Sequence, residues 1–183
     1  MDTEIVGNAL CLDFANTVNA RPVVRWDALG TPEDAVAWSD AVGHPVADLP
    51  AAVDAELAAT RALRELVYRV FRPVAHGRPP AGHDLDALAG EYSAAVANGS
   101  LRKADGTFRL SWAGPRTLRR LRWEVAVSSM ELLTQGALDR LGECPSCGWL
   151  FLDTSKNRRR RWCSMATCGS RDKARRYYER HSS

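Results

Sequence analysis

Apolar residues recur at helical spacing along most of the chain. The clearest case is Leu63, Leu66, Val67, Val70 and Phe71, which follow i, i+3, i+4, i+7, i+8 and predict an amphipathic helix from about Pro50 to Phe71. In Asn8 to Val18, the residues Leu10, Cys11, Phe14 and Val18 share a helical face with Asp13 and Asn16 embedded among them, although Leu10, Leu12 and Phe14 also alternate as in a strand. Thr31-Pro32-Glu33-Asp34 reads as a helix start: Thr31 caps, Pro32 suits the first position and the acids oppose the macrodipole. That helix is expected to reach Val42 and stop at Gly43 and Pro45. After the loop Gly77 to Gly82, Asp84 is the expected cap of a helix with Leu85, Leu88, Tyr92 and Val96 on one face, closed by Asn98-Gly99. Between Leu101 and Trp112 the period falls to two, with Phe108, Leu110 and Trp112 alternating against polar residues, and Asp105-Gly106 marks a tight hairpin turn. Pro115 opens a further helix expected to run to about Leu141, with Leu118, Leu121, Val125 and Leu132 on its apolar side.

Charge divides the chain in two. Residues 1–143 carry 15 Lys+Arg against 19 Asp+Glu, a net of −4, and residues 144–183 carry 10 against 3, a net of +7. An ordinary acidic domain thus precedes a short basic end suited to a polyanion. No stretch approaches the ~18 consecutive apolar residues of a membrane-spanning helix, and Met1-Asp2-Thr3-Glu4 lacks the basic start of a secretory signal. A cytoplasmic chain with no membrane partner is expected.

The basic end also holds four cysteines, Cys144, Cys147, Cys163 and Cys168, in two close pairs. Paired cysteines across a short module match an all-cysteine structural zinc site, because Zn²⁺ takes four thiolates tetrahedrally at about 2.3 Å. A disulfide pair is disfavoured in a cytosolic chain, and the spacing does not demand an iron–sulfur cluster. Cys11 stands apart as a small core residue. Trp149 to Leu152 suits a strand leaving the first pair, and Ser170 to Arg180 a helix after the second. The fold class expected is mainly α: a helical N-terminal domain with one β-hairpin (1–141) and a small treble-clef or ribbon-like zinc module (142–183). Some forty residues bury too little apolar surface to fold unaided, so one structural zinc ion must supply stability, about 10–16 kcal/mol of apparent binding free energy.

Lys156, Arg158, Arg159, Arg160 and Arg161 precede the second cysteine pair, and Arg171, Lys173, Arg175, Arg176 and Arg180 follow it. Eight of these ten are arginine, whose planar fork binds phosphate bidentately and reaches guanine edges, so the set is the candidate nucleic-acid surface. Ala174, Tyr177 and His181 are expected to pack inward, and Trp149 and Trp162 to pack about the metal. No nucleophile with a base, open metal position or phosphate loop is recognisable, and His44, His76, His83 and His181 show no partner pattern, so a non-enzyme is expected.

Cys144-Pro-Ser-Cys147, with Arg161-Trp-Cys163-Ser-Met-Ala-Thr-Cys168-Gly-Ser170-Arg171, closely resembles the CGNR zinc-finger family of bacterial proteins, with Ser170 in place of the family's Asn. Ser can cap the following helix as that Asn would. Leu10-Cys-Leu-Asp13-Phe-Ala-Asn16-Thr-Val18 resembles the opening of the ABATE domain that precedes this finger. The resemblance implies a stress-related transcriptional regulator, with DNA bound by the finger and the helical domain sensing a small effector or forming a homodimer. An RNA-binding or protein-interaction module with the same zinc is the alternative. Asp13, Asn16 and Arg21, facing Arg119 or Arg122 of the long helix, are the candidates for an effector site; as plain structural residues, Asp13 and Asn16 would be hydrogen-bonded polars or caps.

Overall fold

A computed structural model describes residues 4–19, 21 and 26–181. The opening Met1-Asp2-Thr3, read above for its lack of a signal, lies outside them. The helices in chain order are α1 Leu10–Ala15, α2 Pro32–Ala41, α3 Val53–Ala75, α4 Gly82–Asn98, α5 Leu118–Gln135 and α6 Ser170–His181. Two antiparallel hairpins join them, β1 Ser100–Ala104 with β2 Thr107–Ser111 and β3 Leu141–Glu143 with β4 Leu150–Leu152.

The core forms where the apolar stripe of α3 meets α1 and α5. Leu57, Leu63, Leu66, Val67, Val70 and Phe71 of α3 are buried against Leu118, Leu121, Val125 and Leu132 of α5. Into this layer sinks α1, whose Cys11, Leu12, Phe14 and Ala15 are fully buried. Six residues are too few for a helix to stand alone in water, so α1 exists by virtue of that burial. Burial also pushes the Cys11 thiol up to about 12, against hydrogen bonds to Ser128 and Ser129, and leaves it an unreactive core group.

Local chemistry accounts for the ends of the elements. Thr31 and Asp34 exchange side-chain-to-backbone hydrogen bonds of 3.1 Å each, a full capping box on α2. Ala104 pairs with Thr107 across Asp105-Gly106, whose φ of 49° and 79° are those of a two-residue hairpin turn. Trp112 then ties the hairpin to α4 through Nε1 donating to Ala95 O at 2.8 Å.

Four expectations differ in detail. The first helix stops at Ala15, and Val18 forms a β-bridge with Asp27, because Asn16 and Thr17 turn their side chains to bonds elsewhere. Asp84 is not a cap: Ala81 holds that position, and the buried carboxylate takes two bonds from Arg69, which hold it below the ordinary aspartate range. The long helix begins after Thr117, whose hydroxyl accepts from Arg120 N, and ends at Gln135. There Gly136 lies against Leu132, a single 3-10 turn follows, and the chain enters β3.

Candidate metal centre and nucleic-acid interface

β3 and β4 run antiparallel with Leu141 opposite Leu152 and Glu143 opposite Leu150, and between them the chain curls through Cys144 to Gly148. Cys144 N donates to Trp149 O at 2.8 Å and Gly148 N to Cys144 O at 2.9 Å, so the first two sulfurs are turned to one side. Gly148 has φ of 76°, and a Cβ there would stand 3.2 Å from the Tyr68 hydroxyl; conformation and space both call for glycine. The second pair is positioned by a wide π-type turn, Met165–Gly169, which carries Cys168 and runs directly into α6.

The four Sγ atoms lie within 4.8 Å of one another, all buried, and Cys147 Sγ is 3.5 Å from Cys163 Sγ. A tetrahedron built on Zn–S bonds of ~2.3 Å has edges of about 3.8 Å. The donor set fits one zinc ion, which Cys144, Cys147, Cys163 and Cys168 would hold with no coordination position left for water. The crowding has an electrostatic signature. Hydrogen bonds from the Cys147 and Cys163 thiols draw Cys144 down, while Cys147 and Cys163 are themselves pushed up beside it. The Cys144 thiolate forms readily while Cys147 and Cys163 resist, a conflict that a bound dication would relieve by supplying the compensating charge.

The N-terminal segment is bolted to this centre. Asn16 is buried and accepts from Leu150 N while donating to Leu150 O, both at 2.8 Å, satisfying the edge of β4 that β3 leaves free. Asp13 accepts from Val6 N at 2.9 Å and Gly7 N at 2.7 Å; burial pushes its carboxyl up, against the pull of those two groups and of Arg160. Gly7 O in turn accepts from Leu152 N at 2.9 Å. Trp149 Nε1 reaches Val18 O at 2.7 Å, and Leu141 and Leu150 belong to the same apolar cluster as α1, α3 and α5. A second cluster, Trp149, Phe151 and Trp162, surrounds the four cysteines.

The ten basic residues separate into classes that the sequence could not distinguish. Arg160 points inward: its guanidinium donates to Trp162 O, Leu152 O, Val6 O and Cys163 O and lies 4.4 Å from the Phe151 ring centroid. Asp153 accepts from Ser155 N and Arg160 N, 2.8 Å each, and pins the loop between the cysteine pairs; its hydrogen bonds, Ser155 foremost, hold the carboxyl below its ordinary range. Arg158 pairs with Asp139, and Arg175 and Arg176 both pair with Asp172. For Lys156, Arg159, Arg161, Arg171, Lys173 and Arg180, no carboxylate among the described residues lies within ion-pair distance, and all six are exposed. Arg161, Arg171 and Arg175 converge with Pro145 and Ser146 on a cleft of about 190 Å³ beside the first cysteine pair.

α6 itself stands clear of the core. Asp172 alone is buried on it, and Ala174, Tyr177 and His181, expected to face inward, are exposed. The inward face fails because, among the described residues, α6 packs chiefly against the Met165–Gly169 turn that carries Cys168, and no apolar side chain of the helix is buried. Ser170 does not cap it either: the helical path already began at Met165, and Ser170 Oγ donates back to Met165 O at 3.0 Å.

The residues considered for an effector are dispersed. Arg21 binds Glu65 at 2.5 Å and Ala15 O at 2.7 Å, whereas Arg119 and Arg122 pair with Glu56 on another part of α3. Two histidines have partners that no local pattern announces: His44 with Glu124 at 2.8 Å and His76 with Glu143 at 2.5 Å.

Comparison with known proteins finds two matches that together span nearly the whole chain. A family model described as ABATE, putative stress-induced transcription regulator, matches residues 8–136, and one described as the CGNR zinc finger matches residues 140–181. No curated protein matches the chain. Residues 8–136 cover well over half of the chain, and the four cysteines that the finger requires are gathered around one ion-sized space. The chain belongs to the ABATE family, with a CGNR zinc finger at its C-terminal end.

Proposed function

We propose that this protein is a cytoplasmic, zinc-dependent transcription regulator that binds duplex DNA through the finger and receives a signal, a small effector or a second copy, through its helical domain. It acts by binding, not by catalysis, since four sulfurs leave the metal no reactive position. The observation that carries the reading is α6: a helix with one buried residue, bearing exposed Arg171, Lys173 and Arg180, for which no carboxylate among the described residues lies within ion-pair distance. Arg161 shares a cleft with Arg171 and Arg175 of this helix. A protruding cationic helix of this kind gains little from its own chain and much from phosphates and a major groove.

The test is fluorescence anisotropy with genomic duplex fragments selected by the zinc-loaded protein. Arg171→Ala and Lys173→Ala should each reduce the slope of log K against log salt by about one if they contact phosphate. Zinc content and helix content should stay unchanged. An unaltered slope in both variants would remove α6 as the contact surface. Tyr177 and Tyr178 are 55% and 67% exposed beside these arginines, which favours single-stranded nucleic acid as a second reading. Competition by unpaired RNA stronger than by duplex DNA would establish it over the first.

A further inference from the structure

We propose that the cleft between α4, the β1–β2 hairpin and α5 binds a small amphipathic anion, an aliphatic or aromatic carboxylate, and that its occupancy is felt at the zinc finger. This rests on the reading of the chain as a regulator that receives a signal, and it names where and what that signal is.

The cleft measures about 730 Å³, the size of site that takes a small organic molecule. Its walls are Tyr92 and Val96 from α4, Leu101, Phe108 and Leu110 from the hairpin, and Met130 from α5. Leu101 pairs across the hairpin with Leu110 and Phe108 with Lys103, which puts the three apolar side chains on one face. Leu101 is 68% exposed, Phe108 66% and Val96 44%. Large apolar groups left in water singly are ordinary, but a contiguous set lining a concavity marks a binding surface.

Charge selects the occupant. At one end the cleft shares His44 and Glu124 with a polar pocket of about 170 Å³ lined by Arg116, Thr117 and Arg120. The Glu124 carboxylate is already engaged, one oxygen 2.8 Å from His44 Nδ1 and the other 3.1 Å from Arg120 Nε. Burial raises Glu124, yet His44 and Arg120 outweigh it and hold the group below the ordinary glutamate range, so it is a fixed anion with its partners in place. Arg116 is exposed with no carboxylate in ion-pair distance among the described residues, and Thr117 caps the start of α5, whose dipole adds positive potential. Elsewhere in the cleft Arg109 and Glu131 offset one another. Positive charge therefore exceeds negative at the α5 start alone, which places the anionic head there and the apolar body along the hairpin.

The route to the finger is short. Leu10 of α1 and Ser128 of α5 line the same cleft, and Ser128 Oγ accepts from Cys11 N at 3.2 Å. α1 carries Asp13 and leads into Asn16, the residue clamped on Leu150. An occupant pressing on Leu10 and Ser128 acts on the helix that holds β4.

The experiment is isothermal titration of the full zinc-loaded chain with decanoate and 2-naphthoate, against decyltrimethylammonium and decanol as controls. A single saturable site per chain is expected for the carboxylates, with decanoate about tenfold tighter than the ammonium. Arg116→Gln should weaken decanoate by about fivefold and leave decanol unaffected. Phe108→Ser, at an exposed position that does not threaten the fold, should weaken both. Decanoate should also change the rate of zinc release to a chelator by at least about twofold. Absence of saturation by either carboxylate at millimolar concentration, equal affinity for cation and anion, or indifference to both substitutions overturns the site. Self-association in sedimentation that Phe108→Ser abolishes, without carboxylate binding, assigns the face to a second copy and likewise overturns it. An unchanged zinc-release rate overturns the coupling. DNA binding by the ligand-free chain is scored separately: if DNA binds and neither carboxylate does, this inference alone fails, and if a carboxylate binds and DNA does not, the proposed role of the finger alone fails.

Discussion

Truncating one buried amide should loosen the zinc finger from across the molecule. Asn16 is 3% exposed, and its side chain makes two 2.8 Å bonds to the backbone of Leu150, itself fully buried. In Asn16→Ala a buried N–H and a buried C=O lose their partners together. Each such orphan costs about 1–3 kcal/mol, so the variant should lose about 2–6 kcal/mol. That is a large part of the ~5–15 kcal/mol by which a domain of this size is stable. Asn16→Asp separates the two bonds: the carboxylate still accepts from Leu150 N but faces Leu150 O. Burial and that carbonyl raise the folded pKa of the new acid above its unfolded value. The protonated form, which donates to Leu150 O, then stabilises the fold below the unfolded pKa, and this contribution disappears as pH rises through the folded pKa. Urea unfolding of the zinc-loaded chain, followed by circular dichroism and by zinc release to a colorimetric chelator, reads both effects. A loss below about 0.5 kcal/mol for Asn16→Ala, or zinc release that does not accelerate, would refute the clamp.

Three further outcomes are expected. Arg160→Ala should destabilise the finger by about 2–4 kcal/mol because four carbonyls lose a charged donor, while Arg159→Ala changes nucleic-acid affinity with an unchanged urea midpoint; the reverse ranking would reject the inward assignment. The depressed Glu124 carboxylate contributes stability above the ordinary glutamate pKa that is lost as pH falls through its folded value, so Glu124→Gln should flatten the acid limb of the stability profile, and an identical limb in the variant counts against the His44–Glu124–Arg120 network. Cys163→Ser should abolish zinc binding and also lower the urea midpoint of the remaining helices, since Leu141 and Leu150 leave a shared core at about 1.5–3 kcal/mol each; helices that unfold at the wild-type midpoint would show that the two parts stand independently.

Much of this architecture was legible because its causes are local. The α3 stripe, the Thr31 box and the Asp105-Gly106 turn each state their structure within a few residues, and the cysteine spacing states its metal. What escaped was chemistry between residues far apart in sequence. Arg160 sits in a run of four arginines, and nothing in that run shows that one turns inward to Val6 O, 154 positions earlier. Tyr177 and Ala174 have helical spacing for an inner face, but a periodic face becomes buried only if another element offers apolar surface, and among the described residues α6 buries Asp172 and no apolar side chain. Asp13 and Asn16 illustrate the same limit: polar residues in an apolar stretch announce that partners must exist without naming them.

The identity of those partners changes what α1 is for. A six-residue helix contributes little as a helix, yet it is buried on α3 and α5, lines the cleft through Leu10, and through Asp13 and Asn16 fixes the segments on which β4 rests. A rigid shift of α1 cannot be absorbed locally, because Leu12 and Phe14 are fully buried and close-packed interiors transmit displacement. Moving Asn16 by as little as an ångström would stretch both 2.8 Å bonds to Leu150 beyond good hydrogen-bond geometry. Leu150 lies opposite Glu143 in the hairpin register, and Glu143 directly precedes the first ligand, Cys144. The apolar stripe that builds the core and the polar residues that interrupt it therefore form one lever, with its short arm in the cleft and its long arm on the metal centre.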